Sequence, residues 1–179
     1  MSKKTLYGQT HNRVVTSRTG TVRVNGRTLT TKQAKMLMYL YTRPEKELIE
    51  EVARSVEHHW ALKDSKYNSV RAAVAKTSDT FHDQLVTDPH WMVRLATVKA
   101  STTYHDQFVN DENWWVREAV ARVSDKYHDQ LVSDEHWTVR LTVARASKKY
   151  HHILKDDEDG MVREAVRNYK EKTEDDENI

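Results

Sequence analysis

DENWWVREAVARVSDKYHDQLVS, residues 111–133, is one period of a pattern that runs through most of this chain. The pair Val-Arg recurs every 23 residues, at Val70-Arg71, Val93-Arg94, Val116-Arg117, Val139-Arg140 and Val162-Arg163. His-Asp-Gln stands at 82–84, 105–107 and 128–130, and an Asp at 88, 111, 134 and 157. A fixed period of this size marks stacked supersecondary units, each burying its face against its neighbours. Such assemblies form long binding surfaces more often than active sites.

Each period reads as two helices. The longer starts at the Asp of D-[PE]-x-[WG] as N-cap, followed by Pro89 or a Glu. Its apolar stripe is Val116, Ala119, Val120 and Val123, or Val139, Thr142, Val143 and Ala146. The shorter starts at Ser78, Ser101, Ser124 or Ser147 as N-cap. It turns Leu85, Phe108, Leu131 and Leu154 inward, four residues after Phe81, Tyr104, Tyr127 and Tyr150. Residues 44–69 form a degenerate first unit, in which Ala53, Ser55, His59 and Leu62 echo the pattern without the Val-Arg pair. Residues 157–170 form a C-terminal cap with Gly160 in place of Trp, and 171–179 an acidic tail outside the fold.

The spacing of Asp and Val-Arg resembles that of HEAT repeats, a family in which an Asp-Arg ladder ties successive units together. HEAT units are longer, about 40–47 residues, and the 23-residue unit is more similar to the leucine-rich repeat variant. The resemblance covers about residues 65–168. It implies a mainly α fold: a right-handed α-solenoid of about five two-helix HEAT-like repeats, 44–170, behind a small N-terminal module. It does not select a partner. The cysteine cluster of one member of the variant group is absent here, so no iron–sulfur role transfers. The L-x-x-L-x-L core of true leucine-rich repeats is absent too. HEAT-like solenoids include DNA glycosylases acting on alkylated bases, a remote alternative that needs a lone acid in a basic, aromatic-lined concavity. Regular columns offer no such acid.

Residues 1–43 differ in kind and read as a basic β-hairpin plus helix. Thr21–Leu29 alternates in polarity around Asn25-Gly26, which suits a type I′ turn, and Val14 and Val15 suggest a further strand. Thr30 with Gln33 reads as a capping box opening a helix through Met36, Leu37, Leu40 and Tyr41. That helix ends before Pro44, which opens the next one, with Glu45 and Glu47 near its positive end and Leu48, Val52 and Val56 apolar.

The 179 residues are 37% hydrophobic and 31% charged, polar for a compact globule. With no cysteine, disulfides, thiolate metal sites and cysteine nucleophiles are excluded. No signal-peptide-like or transmembrane-length apolar run occurs, and the expectation is a cytoplasmic protein without a membrane partner. The net charge of +2 hides a division: residues 1–43 carry nine Lys or Arg and no Asp or Glu.

Among the columns, His82, His105, His128 and His151 fall about 8–10 Å apart if successive helices pack normally. That is too far to share one ion, so they read as a structural ladder and no metal or cofactor is expected. Trp91, Trp114 and Trp137 read as packing, while Trp115, whose column otherwise holds Met92, Thr138 and Met161, reads as exposed. The Val-Arg arginines are expected to pair with the preceding Asp. A second basic column, Lys76, Lys99, Arg122 and Arg145, has no carboxylate at a constant offset. It is either a solvated face near helix C-termini or a stripe for phosphates. Arg13, Arg18, Arg23, Arg27, Lys32 and Lys35 lie in the acid-free segment and are the remaining binding candidates. No catalytic motif is present. The expected role is non-catalytic: an adaptor whose repeats hold a protein, with the basic module as a second contact. The alternative is a nucleic-acid-binding protein using that module and the second basic column.

Overall fold

The computed structural model of the chain describes residues 14–16, 22–24 and 27–176. The fold is mainly helical and separates into two compact units, Met1–Leu85 and Val86–Ile179.

In the first unit β1 (Val14–Thr16), β2 (Val22–Val24) and β3 (Arg27–Leu29) form an antiparallel sheet in the order β1-β2-β3. Val24 faces Val14 on one side and Arg27 on the other. The turn at Asn25-Gly26 lies outside the described residues. Leu29 is buried and leads into α1 (Thr31–Tyr41). There the Thr30 hydroxyl accepts the Gln33 N–H and the Gln33 side chain accepts the Thr30 N–H, the capping box expected from the sequence. Pro44 stands directly before α2 (Glu45–Arg54), whose first turn carries Glu45 and Glu47 against the positive helix end. Then follow α3 (His59–Leu62), α4 (Asn68–Thr77) and α5 (His82–Leu85). The long helices α2 and α4 pack on each other and bury Leu48, Val52, Val70 and Val74. Val56 falls in a short 3-10 turn past the end of α2 and is exposed.

The second unit alternates long and short helices: α6 (Trp91–Ala100), α7 (His105–Phe108), α8 (Trp114–Val123), α9 (His128–Leu131), α10 (Trp137–Ala146), α11 (His151–Leu154) and α12 (Gly160–Asp176). Each long helix packs on the next long one, and each short helix touches the long helices before and after it. Phe108, Leu131 and Leu154 from the short helices meet Val116, Val120, Val139, Val143 and Val162 in one core. Ala119, Ala121 and Ala144 are buried among them, and such small side chains permit close helix approach.

The boundaries depart from the sequence reading in four places. The long helices begin two residues later than expected, with His90, Asn113 and His136 as N-caps whose side chains accept the N–H two residues on. Asp88, Asp111 and Asp134 stand outside the helix, each accepting the N–H of that N-cap residue. Ser78, Ser124 and Ser147 are at once C-caps of the long helices and N-caps, the Ser147 hydroxyl accepting the Lys149 N–H, but a 3-10 turn follows each before the short α-helix begins. Val123 and Ala146, placed in the stripe, end their helices on the exposed side. Finally, α12 continues to Asp176 through residues assigned to the acidic tail. Glu and Lys there are good helix formers, and no Ser interrupts the run at the period's usual break.

One hydrogen bond recurs at every period. Nε2 of His59, His82, His105, His128 and His151 lies 2.7–3.1 Å from the carbonyl oxygen seven residues earlier: Val52, Ala75, Val98, Ala121 and Ala144. These carbonyls sit in the last turn of α2, α4, α6, α8 and α10, where no intrahelical N–H remains for them. A carbonyl only accepts, so Nε2 carries the hydrogen. The histidine column is thus a set of buried C-terminal caps, and His59 supplies one for α2 although residues 44–69 lack the Val-Arg pair. His128→Leu leaves the Ala121 carbonyl unmet in the core. It should lower unfolding free energy by about 1–3 kcal/mol in urea denaturation with an unchanged m-value.

Candidate interaction surface

Within Val86–Ile179 the side chains converge first on Arg94, Arg117 and Arg140. Arg117 is representative. Its Nε and Nη2 donate to the two oxygens of Asp134 at 2.7 and 2.9 Å, and Nη2 also donates to Glu135 at 3.0 Å. Its Nη1 donates to the backbone oxygens of Asp111 and Glu112 at 2.8 and 3.3 Å. All five guanidinium N–H groups are therefore used. Arg94 makes the same fork to Asp111 and Glu112, and Arg140 to Asp157 and Glu158. The carboxylate partner is thus the Asp 17 residues ahead. The preceding Asp, expected to be the partner, supplies only its main-chain oxygen. The Arg and Asp side chains are 8–9% and 6% exposed, whereas Glu112, Glu135 and Glu158 are 82–83% exposed.

Charge follows this geometry. Hydrogen bonding to Asp111, Asp134 and Asp157 holds Arg94, Arg117 and Arg140 above the ordinary guanidinium value in spite of burial. Burial alone would raise the Asp157 carboxyl. The Arg140 hydrogen bond, the Asp159 N–H and the charges of Arg140 and Arg163 outweigh it and hold Asp157 below the usual carboxylate range. Arg163 closes the series differently: Nη1 holds the Asp157 and Glu158 carbonyls, but the side chain is exposed.

Along the N-terminal ends of α6, α8 and α10 runs a second feature, an unbroken row of stacked rings. Trp115 stacks on Trp91 of the preceding long helix (6.1 Å between centroids) and on Trp114 beside it (4.3 Å). Trp114 stacks on His136 ahead of α10 at 4.1 Å and 5° between planes. His90–Trp91 and His136–Trp137 extend the row at both ends. Trp91 and Trp114 are partly buried against the core, Trp115 is 46% exposed as its column suggested, and Trp137 is 40% exposed. The packing role expected of the whole Trp column therefore fails at Trp137. Met92 lies exposed at the N-terminal end of α6, and Met161 at that of α12. His90 and His136, unremarked in the sequence, both cap a helix and extend the stack; the signal was their place two residues after the Asp.

The other candidates do not gather there. Lys99, Arg122 and Arg145 are exposed at the C-terminal ends of α6, α8 and α10, and Lys76 is exposed at the end of α4 in the first unit. Arg122 pairs with Glu118, which also accepts from Thr142 Oγ1 at 3.1 Å, so the column is not uniformly free of carboxylates. Arg23 lies exposed on β2 with Nε 3.2 Å from the Thr28 hydroxyl. Lys32 and Lys35 are exposed on α1, Arg27 lies in β3, and Arg13 and Arg18 lie outside the described residues. Asp106 pairs with Tyr127 and Lys126, and Asp129 with Lys149 and Tyr150, which hold both carboxyls below the usual range. Among the described residues no group of three His, Cys, Asp or Glu could hold a metal ion, and no helix is long and apolar enough to cross a membrane. No protein-family model, curated protein or solved structure matches the chain.

Two outcomes test the forks. Arg117→Ala strands the Asp134 carboxylate and should destabilise by about 3–5 kcal/mol, whereas Arg163→Ala, at the exposed end, should cost less than about 1 kcal/mol; chemical denaturation compares them. The Asp157 carboxyl is depressed on folding, so its contribution is full above the unfolded value near about 4. It is lost as pH falls through the folded one. The stability gap between the parent chain and Asp157→Asn should accordingly be constant at neutral pH and shrink below about pH 4.

Proposed function

We propose that this chain is a non-catalytic adaptor: a HEAT-like, right-handed α-solenoid of about five 23-residue repeats whose surface holds a protein partner. The observation that carries the reading is the aromatic row with Trp115 and Trp137 half-exposed. Trp is the residue type most often found to dominate binding energy, and a row of rings already fixed by stacking loses little conformational freedom on contact. In this reading the basic residues Arg23, Lys32 and Lys35 of the N-terminal module make a second contact with the same partner.

The second reading, nucleic-acid binding, is favoured by one observation: exposed Lys32 and Lys35 on α1 belong to a 43-residue stretch with no acidic side chain. It predicts binding to DNA or RNA that weakens steeply with salt and is reduced in Lys32→Gln/Lys35→Gln.

For the adaptor, the expected result is a stoichiometric protein captured from nuclease-treated lysate by the parent chain. It should be lost from Trp115→Ala/Trp137→Ala, each truncation costing about 2 kcal/mol of binding. The double variant should melt within about 4 °C of the parent. Equal capture by both chains rejects the reading.

A further inference from the structure

We infer that the occupant of this surface is an extended basic segment of another protein, with Lys or Arg at every third residue, lying across Glu112, Glu135 and Glu158 beside the aromatic row. The inference rests on the adaptor reading and adds the chemistry of the partner.

Each fork sets one guanidinium against two carboxylates: Arg94 against Asp111 and Glu112, Arg117 against Asp134 and Glu135, Arg140 against Asp157 and Glu158. The Asp is covered and satisfied. The Glu meets its Arg through Oε1 alone and is 82–83% exposed, so one negative charge per fork faces solvent. Consecutive forks share a shallow opening of ≈ 390 Å³ lined by Asn110, Asp111, Glu112, Gln130, Asp134 and Glu135 together with Arg117, whose donors are all engaged. Two residues after Glu112 and Glu135 come Trp114 and Trp137, the first residues of α8 and α10. The Trp114 ring is covered by His136 and Trp115, so Trp137, stacked on His136 alone and 40% exposed, is the indole left open to a guanidinium or ammonium group drawn by the glutamates. Nucleic acid could stack bases on the same rings, but its phosphates would then lie against the exposed glutamates, of which each fork holds one carboxylate more than its single guanidinium balances.

Spacing fixes the form of the occupant. The long helices pack consecutively, and packed helices lie about 8–10 Å apart, so we place the three glutamates, one in each loop before α8, α10 and α12, at about that interval. A polyproline II segment advances about 3.1 Å per residue with three residues per turn, so side chains every third residue lie on one face about 9 Å apart. A β-strand's same-face residues, about 6.7 Å apart, miss this interval. A second copy of the chain does not qualify, because its sequence has no three Lys or Arg at i, i+3 and i+6.

The test titrates the full chain with three synthetic peptides of identical composition, carrying three Arg at spacings of two, three or four among Pro and Ala. A single-stranded oligonucleotide is titrated in parallel. Expected is binding of the spacing-three peptide, about tenfold tighter than the other two, weakened by salt, with the Trp115 and Trp137 indole N–H resonances shifting. Glu112→Gln/Glu135→Gln/Glu158→Gln should weaken it about tenfold while leaving the melting temperature unchanged. Equal binding at all spacings, unchanged binding by the triple variant, or binding of the oligonucleotide in preference to the peptides overturns the inference. Partner capture that needs Trp115 and Trp137 but survives the triple variant overturns the basic occupant and leaves the adaptor. Capture indifferent to both tryptophans overturns both.

Discussion

The fork from one arginine to the aspartate 17 residues ahead is the constraint on which the second unit depends. Arg117 enters from α8, yet every atom it satisfies lies outside that helix: two carbonyls in the loop before it, and two carboxylates in the loop before α10. Asp134 in turn accepts the His136 N–H, which sets where α10 begins. The pair therefore couples the start of one long helix to the start of the next. A buried ion pair is weak evidence for stability in itself, since desolvation offsets most of its Coulomb energy. Its effect here is register. An insertion of one residue between Arg117 and Asp134 would move the carboxylate off the fork and leave buried donors unmet.

The caps at the other end of each helix complete the constraint. A short helix can dock only where its histidine reaches the first free carbonyl of the preceding long helix, seven residues back. Fork and cap together fix both ends of α8 and α10, and the apolar residues between them then need only suitable volume. This accounts for the mixture of Val, Leu, Thr and Ala on those helices under an unchanging His, Asp and Arg framework.

The periodic residues make the helices, the inward Leu and Phe positions, the histidine column and the exposure of Trp115 legible in the sequence. The direction of the Arg pairing was not readable, for a definite reason. In a 23-residue repeat the Asp six residues before an Arg and the Asp 17 residues after it occupy the same column, so no sequence offset separates them. The late start of the long helices was hidden because Asp is a good N-cap in general; here its carboxylate is occupied by the fork, and capping passes to His90, Asn113 and His136. Trp137 departs from the packing expected of its column because a shared column does not entail shared burial. Trp114 gains cover from His136 ahead of it and Trp115 beside it, but beside Trp137 stands Thr138, and the next N-cap is Asp159 with no ring to stack.

That last contrast bears on what the row is for. Gly160 removes the ring at the end of the series, while the negatively charged Glu158 persists two residues before it, 82% exposed and paired only through one oxygen. The fork at Arg140 needs Asp157 for its geometry and gains little from an exposed Glu, whose contribution to stability is at most about 1 kcal/mol. Three solvent-facing glutamates at one interval are thus poorly explained by folding. In the proposed surface they are charge carried once per 23 residues, with the buried arginines orienting it.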